Sequence, residues 1–74
     1  MIENMTISKE EMKGILKAHI SEKEWEYNNW DLIMKRAEPT NEFKEYGTCY
    51  IFPCYQVDLI FKENGALIQA EPHI

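Results

Sequence analysis

Four side chains are of types that could carry chemistry: Cys49, Cys54, His19 and His73. A thiolate beside an imidazole is a nucleophile, and thiolates combined with imidazoles bind zinc. However, Cys-x4-Cys is looser than the repeated pairs of zinc modules. We therefore expect no metal, no cofactor and no catalytic residue, and two reduced thiols. The alternative is a homodimeric small-ligand binder or minor enzyme with a pocket near Cys54, Tyr50 and His19.

Composition and charge narrow the classes of function further. The 74 residues make one domain, residues 1–74. Thirteen carboxylates against eight basic side chains give a net charge of −5, which argues against direct binding to nucleic acid or to an anionic membrane. No apolar run approaches the ~18 residues of a membrane span, and the start lacks the pattern of a secretory signal. We therefore expect a cytoplasmic protein, whose partner is another protein with a basic surface.

The first of two predicted helices begins after Ser8. Ser8 with Glu11 three residues later is a capping box, because each side chain can bond to the other residue's amide. Ile7 and Met12 flank the cap at the positions of a hydrophobic staple. These signals predict a helix over Lys9–His19.

A second helix is predicted over residues 22–37. Ser21 and Glu24 repeat the capping box, and Pro39 disfavours helical geometry in the residue before it. A strand over Trp30–Arg36 is the alternative for part of this segment, although its face would be less apolar. The stripe expected to face the core of the fold is Tyr27, Trp30, Ile33, Met34 and Ala37.

The C-terminal third is predicted to be an antiparallel sheet that turns at Asn64-Gly65. Asn-Gly between apolar runs is typical of a two-residue hairpin turn. This turn places Phe61 opposite Ile68 and Leu59 opposite Ala70. The alternative is a three-residue loop with Gly65 in a bulge.

Pro53 divides the long apolar run that precedes this turn. Since proline cannot donate to a sheet ladder, we expect a bend that makes residues 47–52 and 55–62 two strands of a three-stranded meander. The alternative is one long bent strand in a simple hairpin. Residues 42–46 form a helical turn or lead directly into the strand, and residues 5–7 are a frayed start or an edge strand.

Alternation along the strands predicts one core face and one face open to solvent or a partner. The predicted core face carries Cys49, Ile51, Tyr55, Val57, Leu59, Phe61, Ile68 and Ala70. The predicted open face carries Tyr50, Phe52, Cys54, Gln56, Asp58, Ile60, Lys62, Leu67 and Gln69.

Two surfaces are candidates for binding a partner. The first is Trp25 with Leu32, on the second helix away from its core stripe, with Glu22 and Glu26 at the rim. Tryptophan is frequent at interface hot spots, although Trp25 could instead pack on Ile20. The second surface is the open sheet face, with Tyr50, Phe52, Ile60 and Leu67.

The sequence thus predicts an α+β fold, with two N-terminal helices packed on one face of a C-terminal antiparallel sheet. The expected function is that of a non-enzymatic protein-binding module, such as a small acidic inhibitor, an immunity-type protein or an accessory protein. Such a module occludes a site on its partner, and a homodimer is left open.

Overall fold

The computed structural model describes residues 4–73, which form helices and one antiparallel sheet. The helical elements are α1 (Lys9–His19), an acidic 3-10 helix (Glu22–Tyr27), α2 (Trp30–Arg36) and a 3-10 turn (Lys44–Tyr46). The strands are β1 (Glu38–Thr40), β2 (Cys49–Cys54), β3 (Val57–Lys62) and β4 (Leu67–Pro72), and they are neighbours in that order. The predicted α+β class is confirmed, and the sheet has four strands where two or three were predicted.

Helix α1 begins and ends where its sequence signals predict. The Ser8 hydroxyl accepts a hydrogen bond from the Glu11 amide at 3.1 Å. The Glu11 carboxylate accepts one from the Ser8 amide at 3.5 Å. Met12 and Leu16 lie one turn apart and are buried, so the capping box and the apolar stripe are both confirmed.

The predicted single helix over residues 22–37 is wrong, because the chain becomes extended at Asn28 and Asn29. The Asn29 side chain accepts a hydrogen bond from the Leu32 amide at 3.1 Å and caps α2. Ser21, the predicted second cap, makes no such bond. Asparagine side chains compete for nearby backbone groups, which favours a cap over a helix interior. The alternative of a strand in place of α2 is also wrong.

The faces predicted for β2 are wrong, because a two-residue turn, Tyr55-Gln56, joins β2 to β3. Pairing through this turn places Tyr50 opposite Phe61 and Phe52 opposite Leu59. Directly opposed residues share a face of the sheet, so even-numbered residues of β2 lie with odd-numbered residues of β3. The sequence pattern predicts one alternation that continues unbroken through the turn, and that alternation puts Tyr50 and Phe52 on the opposite face from Phe61.

The hairpin turn between β3 and β4 lies where it was predicted but has three loop residues, 63–65. The Lys62 amide donates to the Ala66 carbonyl at 2.8 Å, and the Gly65 amide donates to the Lys62 carbonyl at 2.9 Å. Gly65 has φ +87°, a conformation that glycine adopts without strain. The alternative loop with Gly65 in a bulge is therefore the one observed.

A second irregularity restores the predicted register farther from this turn. Phe61 pairs with Leu67 rather than with the predicted Ile68, and the register shifts between Ile60 and Phe61, which leaves Ile68 as an extra residue in β4. The two-residue turn also predicts Ile60 opposite Gln69 and Leu59 opposite Ala70, and these two pairs are confirmed. The pairs it predicts nearest the turn, Glu63 with Ala66 and Lys62 with Leu67, are wrong, because the Lys62 amide donates to the Ala66 carbonyl and Leu67 pairs with Phe61.

Pro53 lies inside β2, opposite Asp58 of β3. Strand β1 begins at Glu38, opposite Ile51, and runs away from Pro53, so no strand within residues 4–73 pairs with the outer side of β2 at Pro53. A proline is tolerated at such a position because no ladder bond there needs its amide. The predicted division of the run into two strands is correct, although the turn follows Pro53 by two residues.

Two segments for which the sequence allowed alternatives now have a definite structure. Residues 5–7 form no strand, and the Thr6 amide and hydroxyl donate to the Glu63 carbonyl at 3.0 and 3.1 Å. The helical alternative for residues 42–46 is realised as the 3-10 turn, which Gly47 ends at φ +74°.

The core lies between the helices and the face of the sheet that carries Phe52 and Phe61, whose rings meet edge to face with centroids 5.5 Å apart. Helix α2 packs on β2 and also contacts α1. Strand β4 lies at the edge of the sheet, and Ala70 is exposed although it opposes the core residue Leu59. The buried members of the core are Met5, Met12, Leu16, Ile20, Ile33, Met34, Ala37, Tyr50, Phe52, Cys54, Leu59 and Phe61.

We expect Gly65→Ala to lower the free energy of unfolding by about 1–2 kcal/mol, because a side chain at this positive φ is strained. The added Cβ would also lie 2.7 Å from Ile15 Cδ1 and 2.8 Å from Ile7 Cδ1. Gly14→Ala is the matched control, since nothing lies within 4 Å of its added Cβ, and it should stabilise α1 by about 0.5–1 kcal/mol. Urea denaturation measures both changes. A Gly65→Ala protein as stable as the wild type would contradict the observed turn.

Candidate functional site

Three of the side chains predicted to bind a partner are closed to solvent. Tyr50, Phe52 and Ile60 are each at most 1% exposed. Tyr50 and Phe52 belong to the core because of the two-residue turn described above. Their predicted exposure is therefore wrong, and a partner could reach them only by unfolding the chain.

Trp25, the predicted aromatic anchor, is bound to the end of α1. Its indole N–H donates to the carbonyls of Lys17 at 3.1 Å and Ile20 at 2.9 Å. The Lys17 ammonium lies 5.7 Å from the centroid of the Trp25 ring. Trp25 thus bonds to the carbonyl of Ile20, the residue that caps α1, and shares the Lys17 carbonyl with the Ile20 amide, which donates to it at 3.3 Å. The Trp25 ring also packs against the core.

The other predicted binding residues lie on separate elements. Glu22 and Glu26 are exposed on the acidic 3-10 helix. Leu67 is exposed at the start of the edge strand β4. The structure therefore does not unite the predicted set into one surface.

A different surface brings aromatic, aliphatic and cationic side chains together. We call it the tyrosine groove, and it comprises Tyr27, Leu32, Arg36, Pro53 and Tyr55, with Asn28, Asn29, Ile33 and Cys54 lining its floor and ends. Its volume is about 240 Å³. The rings of Tyr27 and Tyr55 stack with centroids 5.1 Å apart and an interplanar angle of 21°. They remain 58% and 42% exposed, so the stack presents apolar ring surface to solvent.

The side chain of Asn28 connects the two segments that carry Tyr27 and Tyr55. Its Oδ1 accepts a hydrogen bond from the Tyr55 amide at 2.7 Å, and its Nδ2 donates to the Glu24 carbonyl at 3.0 Å. Asn28 is only 8% exposed, so both bonds are shielded from water. The amide thereby ties the end of the acidic 3-10 helix to the β2–β3 turn.

Helix α2 and its cap supply one wall of the groove through Asn29, Leu32, Ile33 and Arg36. These positions follow the i, i+3, i+4, i+7 spacing of a single helical face. Seven residues at about 1.5 Å each separate the Asn29 end from the Arg36 end by roughly 10 Å. Tyr27 precedes the Asn29 end of this wall in the chain, and Arg36 stands at the other end.

Charged side chains lie near both ends of the groove, mainly acidic near Tyr27 and of both signs beyond Arg36. The acidic 3-10 helix, which ends at Tyr27, carries Glu22, Glu24 and Glu26 against a single base, Lys23. The opposite end has Lys35 and Arg36, in the last turn of α2. From Arg36 and Pro53 a second, wider hollow of about 640 Å³ continues along Lys35, Ala37, Glu38, Ile51 and Asp58.

The sequence analysis missed both tyrosines of the groove. It placed Tyr27 on the core stripe of an unbroken helix and Tyr55 on the core face of a strand. The adjacent pair Asn28-Asn29 was the available signal, because two neighbouring asparagines favour a break and a new cap over a continuous helix. A break at that point would have detached Tyr27 from the stripe.

The alternative site near Cys54, Tyr50 and His19 lacks an activated nucleophile. Burial, and next the negative charge of Asp58, raises the pKa of the Cys54 thiol to about 11. Exposed His19 lies beside Phe61, with ring centroids 5.6 Å apart, and makes no hydrogen bond to a cysteine within residues 4–73. A thiol with this pKa is almost entirely protonated at neutral pH.

The described part of the chain shows two further absences. It contains no group of three or more histidine, cysteine, aspartate or glutamate side chains placed to hold a metal ion. None of its helices has the length and apolar character that crossing a membrane requires. Both cysteines are free and buried.

Comparisons of the chain with known protein families, with curated proteins and with solved structures find no match.

We expect native Cys54 to react with iodoacetamide much more slowly than the unfolded chain at about pH 8, because only the thiolate attacks. The folded pKa of about 11 lies above the thiol's ordinary 9.0, so the neutral thiol is favoured by folding. Its contribution to stability is complete below pH 9.0 and is lost as the pH rises through 11. Mass spectrometry of alkylated Cys49→Ala protein isolates Cys54. Equal rates in native buffer and in urea would contradict the burial.

We expect Trp25→Phe to lower the free energy of unfolding by about 1–2 kcal/mol, because the Ile20 carbonyl at the end of α1 loses the indole donor and the Lys17 carbonyl keeps only the Ile20 amide. Trp30→Phe is the matched control: its ring also lies near the Lys17 ammonium, at 5.9 Å, and its indole makes no hydrogen bond within residues 4–73. Thermal and urea unfolding compare the two variants. If Trp30→Phe lowers the free energy of unfolding by as much as Trp25→Phe does, the hydrogen bonds of the Trp25 indole are not the cause of that loss.

Proposed function

We propose that this chain is a non-enzymatic protein-binding module that docks through the tyrosine groove onto a basic site of another protein and occludes it. This is the activity of a small inhibitor, an immunity-type protein or an accessory subunit. The observation that carries the proposal is the stack of Tyr27 on Tyr55, two exposed rings held in place by a buried amide. A cytoplasmic location is part of the proposal, and the two free thiols support it because reducing compartments keep thiols unpaired.

The groove has the composition that interface hot spots favour. Tyrosine and arginine are enriched in hot spots, and Tyr27, Tyr55 and Arg36 all line this groove. A fixed aromatic pair loses little conformational freedom when a partner covers it, so more of its burial energy remains for binding. Leu32, which is also exposed, extends the apolar centre between the stack and Arg36.

Charge favours a basic partner. The chain carries a net charge of −5, and its acidic 3-10 helix ends at the tyrosine stack. The electrostatic field of these charges attracts a basic surface before contact, so it acts mainly on the association rate. Added salt screens this attraction and weakens it. The apolar stack would then determine how slowly the complex dissociates.

The test is affinity capture from the native lysate, with the captured protein identified by mass spectrometry and its affinity then measured on purified components. We expect Tyr27→Ala and Tyr55→Ala each to weaken binding by about tenfold or more, since a hot-spot truncation costs ~2 kcal/mol. Tyr46→Ala is the matched control, because Tyr46 is an exposed tyrosine outside the groove, beneath Lys62. The captured protein should present a basic surface.

Circular dichroism and urea unfolding establish that each variant is folded before binding is compared. If folded Tyr27→Ala and Tyr55→Ala proteins bind the captured protein as tightly as Tyr46→Ala does, the tyrosine groove is not the docking surface. A captured protein with an acidic surface would contradict the electrostatic part of the proposal.

A further inference from the structure

We propose that Asn64 is a modification site at which the chain deamidates spontaneously. We propose further that the isoaspartate product releases the N-terminal segment, residues 5–7, from the turn between β3 and β4. The reaction needs water and no other reactant. It does not involve the tyrosine groove, so the proposed function and this modification are tested independently.

Asn64 is the only asparagine of the chain that a glycine follows. Deamidation begins when the backbone nitrogen of the following residue attacks the side-chain carbonyl carbon, Cγ. A side chain on the following residue obstructs this approach, whereas glycine has none and reaches backbone conformations that other residues avoid. Asn64 is also exposed, so water reaches its side-chain amide. The pair Asn64-Gly65 therefore combines a reactive amide with an unobstructed nucleophile.

The reaction has two steps that balance with a single water molecule. The Gly65 nitrogen forms a bond to Asn64 Cγ, the bond from Cγ to the side-chain nitrogen breaks, and ammonia leaves with the proton that the Gly65 amide gives up. Water then opens the cyclic succinimide. Attack on Cγ yields aspartate with a normal backbone, and attack on the main-chain carbonyl yields isoaspartate, whose backbone runs through Cβ and Cγ. Either product adds one negative charge.

The closed turn restrains both reacting groups. The Gly65 amide, which is the nucleophile, donates to the Lys62 carbonyl at 2.9 Å. The Asn64 Oδ1 accepts a hydrogen bond from the Ala66 amide at 3.0 Å, which fixes the side chain in the orientation of the turn. The Gly65 nitrogen attacks only after its bond to Lys62 is released. Deamidation therefore proceeds from an opened turn, and its rate in the native protein depends on how often the turn opens.

The N-terminal segment and α1 hold the turn closed. The amide and the hydroxyl of Thr6 donate to the Glu63 carbonyl at 3.0 and 3.1 Å. A Cβ added at Gly65 would lie 2.7 Å from Ile15 Cδ1 and 2.8 Å from Ile7 Cδ1, so these two side chains pack directly on the glycine backbone. Opening the turn therefore also loosens these contacts.

The two products have different effects on the turn. An aspartate keeps the backbone length and a side-chain oxygen that accepts from the Ala66 amide. An isoaspartate adds a methylene to the backbone directly before Gly65, where the two isoleucines leave no space for one added carbon. The lengthened turn then cannot keep its glycine beneath the isoleucines and also present the Glu63 carbonyl to the N-terminal segment. Isoaspartate formation therefore releases residues 5–7.

Asn41 is a matched control within the same chain. It is also exposed, and its Oδ1 accepts a hydrogen bond from the Thr48 hydroxyl at 3.2 Å. The following amide, that of Glu42, donates to the Thr40 hydroxyl at 3.2 Å. Both reacting groups are therefore hydrogen-bonded at Asn41 as they are at Asn64. The difference that matters for the attack is the side chain of Glu42, which glycine lacks.

The first experiment follows Asn64 and Asn41 in the full chain, incubated in mildly alkaline buffer with and without urea. Peptide mapping by mass spectrometry measures the loss of each amide, and enzymatic methylation detects isoaspartate. We expect Asn64 to convert in both conditions, at least about tenfold more slowly in the native protein, and Asn41 to stay intact. An Asn64 that stays intact, or that converts no faster than Asn41, would overturn the modification site. Equal rates with and without urea would overturn its control by the turn.

The second experiment loosens the turn without changing the reacting residues. Thr6→Val keeps the shape of the side chain and removes its hydrogen bond to the Glu63 carbonyl, so native deamidation at Asn64 should become about fivefold faster. Thr48→Val is the matched control, because it removes the hydroxyl that bonds to Asn41 and should leave the rate at Asn64 unchanged. Circular dichroism checks that both variants fold. A Thr6→Val protein that converts at the wild-type rate would refute the role of the N-terminal segment.

The third experiment compares the two products. Asn64→Asp serves as the aspartate form, and the isoaspartate form is separated from incubated wild type by reversed-phase chromatography and refolded. We expect Asn64→Asp to unfold close to the wild-type urea concentration and the isoaspartate form to unfold at a lower one. Hydrogen exchange at the Thr6 amide should be faster in the isoaspartate form. If the two forms have the same urea midpoint and the same exchange rate at Thr6, isoaspartate does not release the N-terminal segment.

Discussion

The side-chain amide of Asn28 joins the parts of the molecule on which the groove depends. One of its atoms holds the end of the acidic 3-10 helix, and another holds the backbone of the β2–β3 turn. Leaving such buried backbone groups without a partner costs about 1–3 kcal/mol each, so conformations that keep both hydrogen bonds of Asn28 are strongly favoured over those that break them. Because Tyr27 and Tyr55 flank the joint on its two sides, their stacking follows from the same amide. At Asn28 the chain also leaves helical geometry, with φ −109° and ψ 127°, before α2 begins.

Local signals in the sequence predicted the elements whose causes are themselves local. The capping box at Ser8 predicted α1 to the residue, and Asn64-Gly65 predicted the position of the last hairpin. The faces of β2 depended instead on a turn that has no glycine and no asparagine. Gln56 adopts φ +62° there, which is uncommon for a residue with a side chain, and nothing in its type announces the turn. A prediction that misses this turn assigns every residue of β2 to the wrong face of the sheet. Tyr50, Phe52 and Cys54 are therefore predicted on the open face, although they belong to the core.

The candidate site was harder to predict than the fold, because composition does not reveal which aromatic rings stay exposed. Tryptophan is the stronger hot-spot residue, which favours Trp25 as the anchor, yet its indole N–H is better satisfied by the carbonyls at the end of α1. Tyr27 lies two residues later, where the 3-10 helix ends, and its ring points away from the core instead. The charges were more informative: Glu22 and Glu26 are exposed as predicted, and they belong to the helix that leads into the groove.

No strand within residues 4–73 pairs with the outer edge of β4, and an unpaired edge of this kind is a template on which misassembled sheets grow. The extra residue at Ile68 breaks the regular spacing of that edge, Glu71 adds a charge, and Pro72 removes a donor at its far end. Together these features hinder the edge-to-edge addition of further chains that leads to fibrils. The bulge that corrects the register of the last hairpin therefore also protects the chain against aggregation at its most exposed strand.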